Sequence, residues 1–186
     1  MAGRAKIPSM TTHDLVARLG ESRDAVLEHR ALDATRLAAT YRRGGWSVRA
    51  LLAHLADAEL IGLWRFGAAL AAPGSRVEAF DQAAWAAAGD YGSRDAEASC
   101  RLFAACRTHL IDRVEATSDD LLDSGWAEHP EKGRVPARLW ADIADAHARH
   151  HLSQIRAALD GTPWRPVETA TSWMFTGGAR PPRSAR

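Results

Sequence analysis

Eight histidines occur in the 186 residues, and their placement is uneven. DAHARHHLSQI holds His147, His150 and His151 within five positions. Neutral imidazole is a common ligand for divalent transition metals, and residues at i and i+4 of a helix stack on one face, one turn apart. His147 and His151 have that spacing, so both rings can reach one ion. A helix turns about 100° per residue, and with Leu139 at zero the residues Trp140, Ile143, Ala144, Ile155 and Ala158 spread from about 40° to 160°. His147 falls near 80° and His151 near 120°, inside that apolar stripe, while His150 lies on its flank near 20° and Arg149 points to solvent.

Two imidazoles leave a divalent transition metal under-coordinated, so a third protein ligand is required. His54 is the candidate: it lies in the apolar segment VRALLAHLADAELIGLW, the only histidine there. The plain structural alternative is a hydrogen-bonded core histidine at 54 and a structural pair at 147 and 151. Three polar rings inside one core would each need a partner, and one cation serves all three.

These residues need helices to hold them. Thr11 or Thr12 can cap a helix from His13, which runs with a broken apolar period to about Tyr41. Gly44 and Gly45 interrupt it, and Ser47 caps a second helix from Val48 to about Leu70 that ends at Pro73 and Gly74. A long connection, with a helical turn at Asp81–Ala87, leads to Ser93 as the cap of a third helix, Asp95–Glu115, striped by Leu102, Phe103, Cys106, Leu110, Ile111 and Val114. Pro130 and Gly133 mark a small hairpin or loop, and a fourth helix spans Ala137–Leu159. The expected architecture is all-α: a four-helix bundle over residues 11–160, with a small hairpin or loop before the last helix and two long connections that need not give up-down order. Residues 1–10 read as a flexible N-terminus and 161–186 as a largely disordered C-terminal extension.

Composition narrows the classes. With Lys+Arg 24 against Asp+Glu 23 and a formal charge of +1, nucleic-acid binding is not expected. No apolar run is long enough to span a bilayer and no secretory h-region precedes the first helix, so a cytoplasmic location is expected and a membrane partner is not. Cys100 and Cys106, six apart on one helix, point to different sides and read as reduced core thiols.

Four pieces together resemble the DinB-like superfamily of metal-binding four-helix bundles, and its YfiT-like branch most: GGWSVRALLAHLADAEL at Gly44–Leu60, FDQAAWA at Phe80–Ala86, the His129–Pro130 pair, and HARHHLSQI at His147–Ile155. They cover roughly residues 11 to 160. The resemblance implies one divalent ion, zinc, nickel or similar, on His54, His147 and His151, the set the helical count also selects. It implies metal-dependent hydrolase chemistry or, as in bacillithiol and mycothiol transferases, thiol transfer to an electrophilic small molecule. Homodimers also occur in such a family. Ala146 stands where the family often has an aromatic residue, which bears on pocket shape and not on the ligands.

Three neutral imidazoles leave the ion its double charge and an open position, the pattern of a catalytic site. The ion can activate water for hydrolysis of an amide or ester, or hold a low-molecular-weight thiol as its nucleophilic thiolate. A non-catalytic metal-binding stress-response module is the remaining alternative. Asp57, one turn after His54, is a candidate base or orienting group, with a solvated surface acid as the alternative. Glu59 is a candidate contact to a metal ligand or substrate amine, or simply an arginine partner. His150 is a candidate donor to a ligand or a pocket-edge residue, and His129 can line the site from the hairpin. Trp46 and Trp85 read as packing residues, Arg42 and Arg43 as a solvated basic pair able to attract an anion.

Overall fold

The computed structural model describes residues 11–166. Among these residues seven helices and three short strands are formed: α1 Thr12–Leu27, α2 Ala34–Ala38, α3 Val48–Ala71, β1 Ser75–Arg76, α4 Gln82–Ala88, α5 Ala96–Glu115, α6 Asp119–Ser124, β2 Trp126–His129, β3 Gly133–Pro136 and α7 Ala137–Asp160. The helices α1, α3 and α5 begin where side chains receive unpaired N–H groups of the first turn, whereas α7 starts after Pro136 without a side-chain cap. Thr11 and Asp14 form a reciprocal capping box on α1, Ser47 accepts from the Ala50 amide on α3, and Asp95 accepts from the Ala98 amide on α5. Gly161 ends α7 at φ 64°, a left-handed conformation that costs glycine little.

α1, α3, α5 and α7 form the four-helix bundle. α3 packs against α5 and α7, and α1 packs against the same two helices from the other side. Around the bundle the order is therefore α1, α5, α3, α7, so the first two long helices are diagonal rather than adjacent. The two long connections allow this order, and it puts α3 beside α7, the two helices that carry the candidate ligands. The connections also make the sheet: β1 pairs parallel with β2, and β2 pairs antiparallel with β3 in a hairpin.

The core has two apolar halves. One gathers Leu15, Leu19, Phe66, Leu110, Val114 and Trp140; the other gathers Val26, Leu52, Leu55, Phe103, Ala148 and Ile155. Every long helix passes from one half to the other, and the crossover is polar on each: Ser22 on α1, Glu59 on α3, Arg107 on α5 and Asp145 on α7, all buried. Arg107 donates from Nε and Nη2 to the two Glu59 carboxylate oxygens at 2.6 and 2.7 Å, from Nη1 to Ser22 Oγ at 2.6 Å, and from Nη2 to the Ala144 carbonyl of α7 at 2.9 Å. One side chain thus ties all four long helices together.

Several expectations need correction. The first helix ends at Leu27 and not near Tyr41, because the chain tightens into turns over residues 28–31 and restarts at the Asp33 cap of α2. Ser93 does not cap α5; its hydroxyl bonds Asp90, and Asp95 takes the cap. β1 and α6, too short to carry a period, were not expected. Leu102 and Trp85 are not core residues: they are 37% and 44% exposed, and Trp85 rests edge-on against Phe80. The first part of the C-terminal extension is docked, with Trp164 Nε1 donating to Ser153 Oγ at 2.9 Å; the expected flexible N-terminus and the remainder of the extension lie outside the described residues. Cys100 and Cys106 are buried free thiols, as expected. No helix of the described residues is long and apolar enough to cross a membrane.

Candidate metal centre

Because α3 and α7 are neighbours, a ring on each can meet at their interface. His54 Nε2 lies 3.1 Å from His147 Nε2, and His151 Nε2 lies 3.0 Å from the same atom. One ligand atom from each residue falls within 4.8 Å of the others. The three rings stand nearly perpendicular in pairs, with centroids 4.5–5.0 Å apart. The convergence expected from spacing is therefore present.

The rings are held by different means. His151 Nδ1 bonds Gln154 Oε1 at 2.7 Å, and since an amide oxygen only accepts, the ring proton is on Nδ1 and the Nε2 lone pair faces the other rings. His54 has no such partner: its Nδ1 is buried and unpaired. Packing fixes this ring instead, with Phe80 stacked at 5.7 Å and Trp46 tilted against it at 5.0 Å. Burial pushes the His54 pKa down to about 3. His147 and His151 are held well below their ordinary value, first by burial and then by neighbouring rings, His151 and His54 beside His147 and His54 and His150 beside His151. All three are neutral at neutral pH, the form that binds a metal.

These residues fit a divalent cation. With the His151 Nε2 an acceptor, one proton on His147 Nε2 would have to be shared between two acceptors at once, and three unprotonated rings would aim lone pairs at each other across about 3 Å. A cation satisfies all three lone pairs, and three neutral nitrogens on a tetrahedral-type ion leave a position open. His54 and His147 also line a cavity of about 350 Å3, so the opening faces a chamber. Its other walls include Phe80, His129, Trp140 and Ile143.

The other expected site residues are engaged elsewhere. Asp57 does not orient His54; it accepts from the Tyr91 hydroxyl at 2.8 Å and lies 3.6 Å from the Arg94 guanidinium. Burial, and then that bond, push the Tyr91 phenol up from its ordinary value. Glu59 lines the cavity but is clamped by Arg107, so the arginine pairing is realised. His150 is no ligand: it lies edge-on to His151 and to Trp164, and approaches Gln154 Nε2 at 3.4 Å. His129 does line the cavity, its Nδ1 accepting from the Glu131 and Lys132 amides. Arg149 is not solely solvent-facing, since it bridges Asp145 and Glu21.

Sequence reasoning passed over Gln154, Arg107, Tyr91 and Phe80. Gln154 had a signal, an amide three residues after a ligand on the same helix face. Arg107 had one too, a charge inside the apolar stripe of α5.

Known proteins resemble this chain in fold and sequence. A structure of YfiT from Bacillus subtilis, described as "a probable metal-dependent hydrolase with an unusual four-helix bundle topology", superposes with a TM-score of 0.76 at 21% identity, covering 89% of this chain and 95% of that one. A protein of Oceanobacillus iheyensis named "Putative metal-dependent hydrolase" is 29% identical over 142 residues, 76% of this chain and 78% of its own length. A Halalkalibacterium halodurans protein of the same description is 28% identical over 132 residues, 69% of this chain and 74% of its own. The DinB superfamily model matches residues 11–155. With bundle, histidine triad and family model in accord, the chain belongs to the DinB superfamily.

Proposed function

We propose that this protein is a divalent-metal-dependent enzyme that joins a low-molecular-weight thiol to an electrophilic small molecule in the cavity beside His54 and His147. The observation that carries the reading is the triad itself: three neutral imidazoles from two helices, those of His54 and His151 buried and that of His147 half-buried, opening onto a chamber of about 350 Å3. A divalent ion held by His54, His147 and His151 supplies Lewis acidity, which makes a thiol or a water nucleophilic at neutral pH.

The protein's own groups favour the thiol. Attack by water calls for a positioned base to take its proton, and the two carboxylates next to His54 along α3 are committed, Asp57 to Tyr91 and Glu59 to Arg107. A thiol starts from a pKa near 8.5 and needs far less help to ionise. Phe80, Trp140 and Ile143 give the chamber apolar walls that exclude water and hold a small molecule. Hydrolysis of an amide or ester is the second reading, supported by the names that the relatives carry.

The test is conjugation by metal-loaded protein of a panel of thiols with haloalkane and epoxide electrophiles. Thiol-dependent product is expected, lost with chelator and in His147→Ala, alongside loss of bound metal by elemental analysis of untagged protein. Turnover of esters or amides without thiol selects the hydrolase instead. Tight metal binding with neither activity sinks both.

A further inference from the structure

The cavity does not end at the histidine rings. It runs on to Arg65 and Trp140. Arg65 follows His54 by three turns on α3, and Trp140 precedes His147 by two turns on α7, which sets their backbone positions about 10–16 Å along the helices from those of the ligands. They form one wall, the Arg65 guanidinium lying 5.3 Å above the Trp140 ring.

This wall carries donors in excess of acceptors. Arg65 Nη2 donates to the Glu78 carbonyl, a neutral partner, and Arg65 Nε is buried without one. Trp140 Nε1, which can only donate, is also buried without an acceptor. Beside them His129 accepts two amides at Nδ1, which leaves its proton on Nε2, and Lys132 joins the same lining. A guanidinium taken out of water calls for a counter-charge. Three acids also line the cavity: Glu59 is already clamped by Arg107, while Asp81 and Glu131 are exposed, where water screens them, and Asp81 accepts from the Ala83 and Ala84 amides. The half-buried charge is the cation.

We infer that the Arg65–Trp140 end of the cavity is a subsite for a carboxylate on the small molecule that reacts beside the histidines. The indole presents a flat apolar floor, and the guanidinium offers N–H groups in the fork geometry that matches a carboxylate. The ligand class is therefore a small molecule with its reacting atom at one end and an anionic group at the other. As a statement about substrate, this rests on the cavity being the reaction chamber; as a statement about binding, it needs neither metal nor turnover.

The test accordingly uses the full-length, metal-free protein. Glutarate and its uncharged diamide, glutaramide, are titrated to tens of millimolar at constant ionic strength. The readouts are the NMR resonances of the Trp140 indole N–H, assigned with Trp140→Phe, and of the Arg65 Nε–H. Glutarate should shift both saturably and glutaramide should not. Arg65→Gln should weaken glutarate by at least about tenfold, the usual loss for a hydrogen bond to a charged group, with Arg65→Lys in between. Equal response to acid and amide overturns the subsite, as does an unchanged constant in Arg65→Gln or no saturable shift. The acid–amide comparison on the unaltered protein decides the matter even if a variant fails to fold. A negative result here beside positive conjugation removes the subsite alone; the reverse removes the thiol chemistry alone.

Discussion

Two buried polar clusters span α3 and α7, and they are completed in opposite ways. Around Arg107, every guanidinium nitrogen has an acceptor: two carboxylate oxygens of Glu59, Ser22 Oγ and main-chain carbonyls. Nothing there awaits a partner. Around His147, the nitrogens of three rings point at one another, and the His54 Nδ1 behind them is unpaired. Both clusters cost solvation on folding. Only the first recovers it wholly from the protein's own groups, which marks it as architecture; the second is built to be completed from outside.

The largest expected effect falls on the closed cluster. Arg107→Ala strands the Glu59 charge in the core and should cost about 3–5 kcal/mol of stability by urea unfolding. Replacing both partners, Arg107→Met with Glu59→Leu, should cost far less, since no charge is then orphaned. If the single variant were no worse than the double, the cluster would not be the closed unit described.

The open cluster should respond through the metal. Gln154→Leu removes the acceptor that aims His151 and should weaken zinc binding by about 10–100-fold in chelator competition. The metal-free protein should lose about 1–3 kcal/mol by urea, the cost of a buried donor left unpaired. An unchanged zinc constant would make Gln154 a bystander.

The smallest effect per group is on pH. Histidine in an unfolded chain titrates near 6.5, whereas burial holds His54 at about 3 and the other two rings well below their ordinary value. Between these limits the unfolded chain binds protons that the native one refuses. The stability of metal-free protein is therefore complete above about pH 6.5 and falls as the solution is acidified, by up to about 1.4 kcal/mol per pH unit for each ring. Urea midpoints followed from neutral pH down to about pH 5 should show a shallower loss in His54→Ala. Parallel slopes in both proteins would mean that the ring is not buried neutral.

Much of this molecule is written in local sequence. Helix starts at Thr11 and Ser47, the stop at Gly161, and the placement of His147 and His151 on one apolar face all follow from interactions within a turn or two of chain, where side-chain type and backbone geometry decide the outcome. The i, i+4 pair needed nothing more distant than its own helix. His54 was legible as the odd polar ring in an apolar segment, and family resemblance named it as well.

Other features depend on contacts between residues far apart in the chain. The break after Leu27, the parallel strand β1 and the helix α6 are short elements whose stability comes from what they rest on, so no period announces them. The fates of Asp57 and Glu59 were open for the same reason: two acids two residues apart on α3 look alike in sequence, yet one meets Tyr91 and the other Arg107. By itself the sequence determined that there would be helices, and which histidines faced inward, because a helix's periodicity is local. Only the tertiary structure decided that α3 lies beside α7, that the rings of these two helices meet within 3.1 Å, and which buried charges are already matched, because these depend on packing across the bundle.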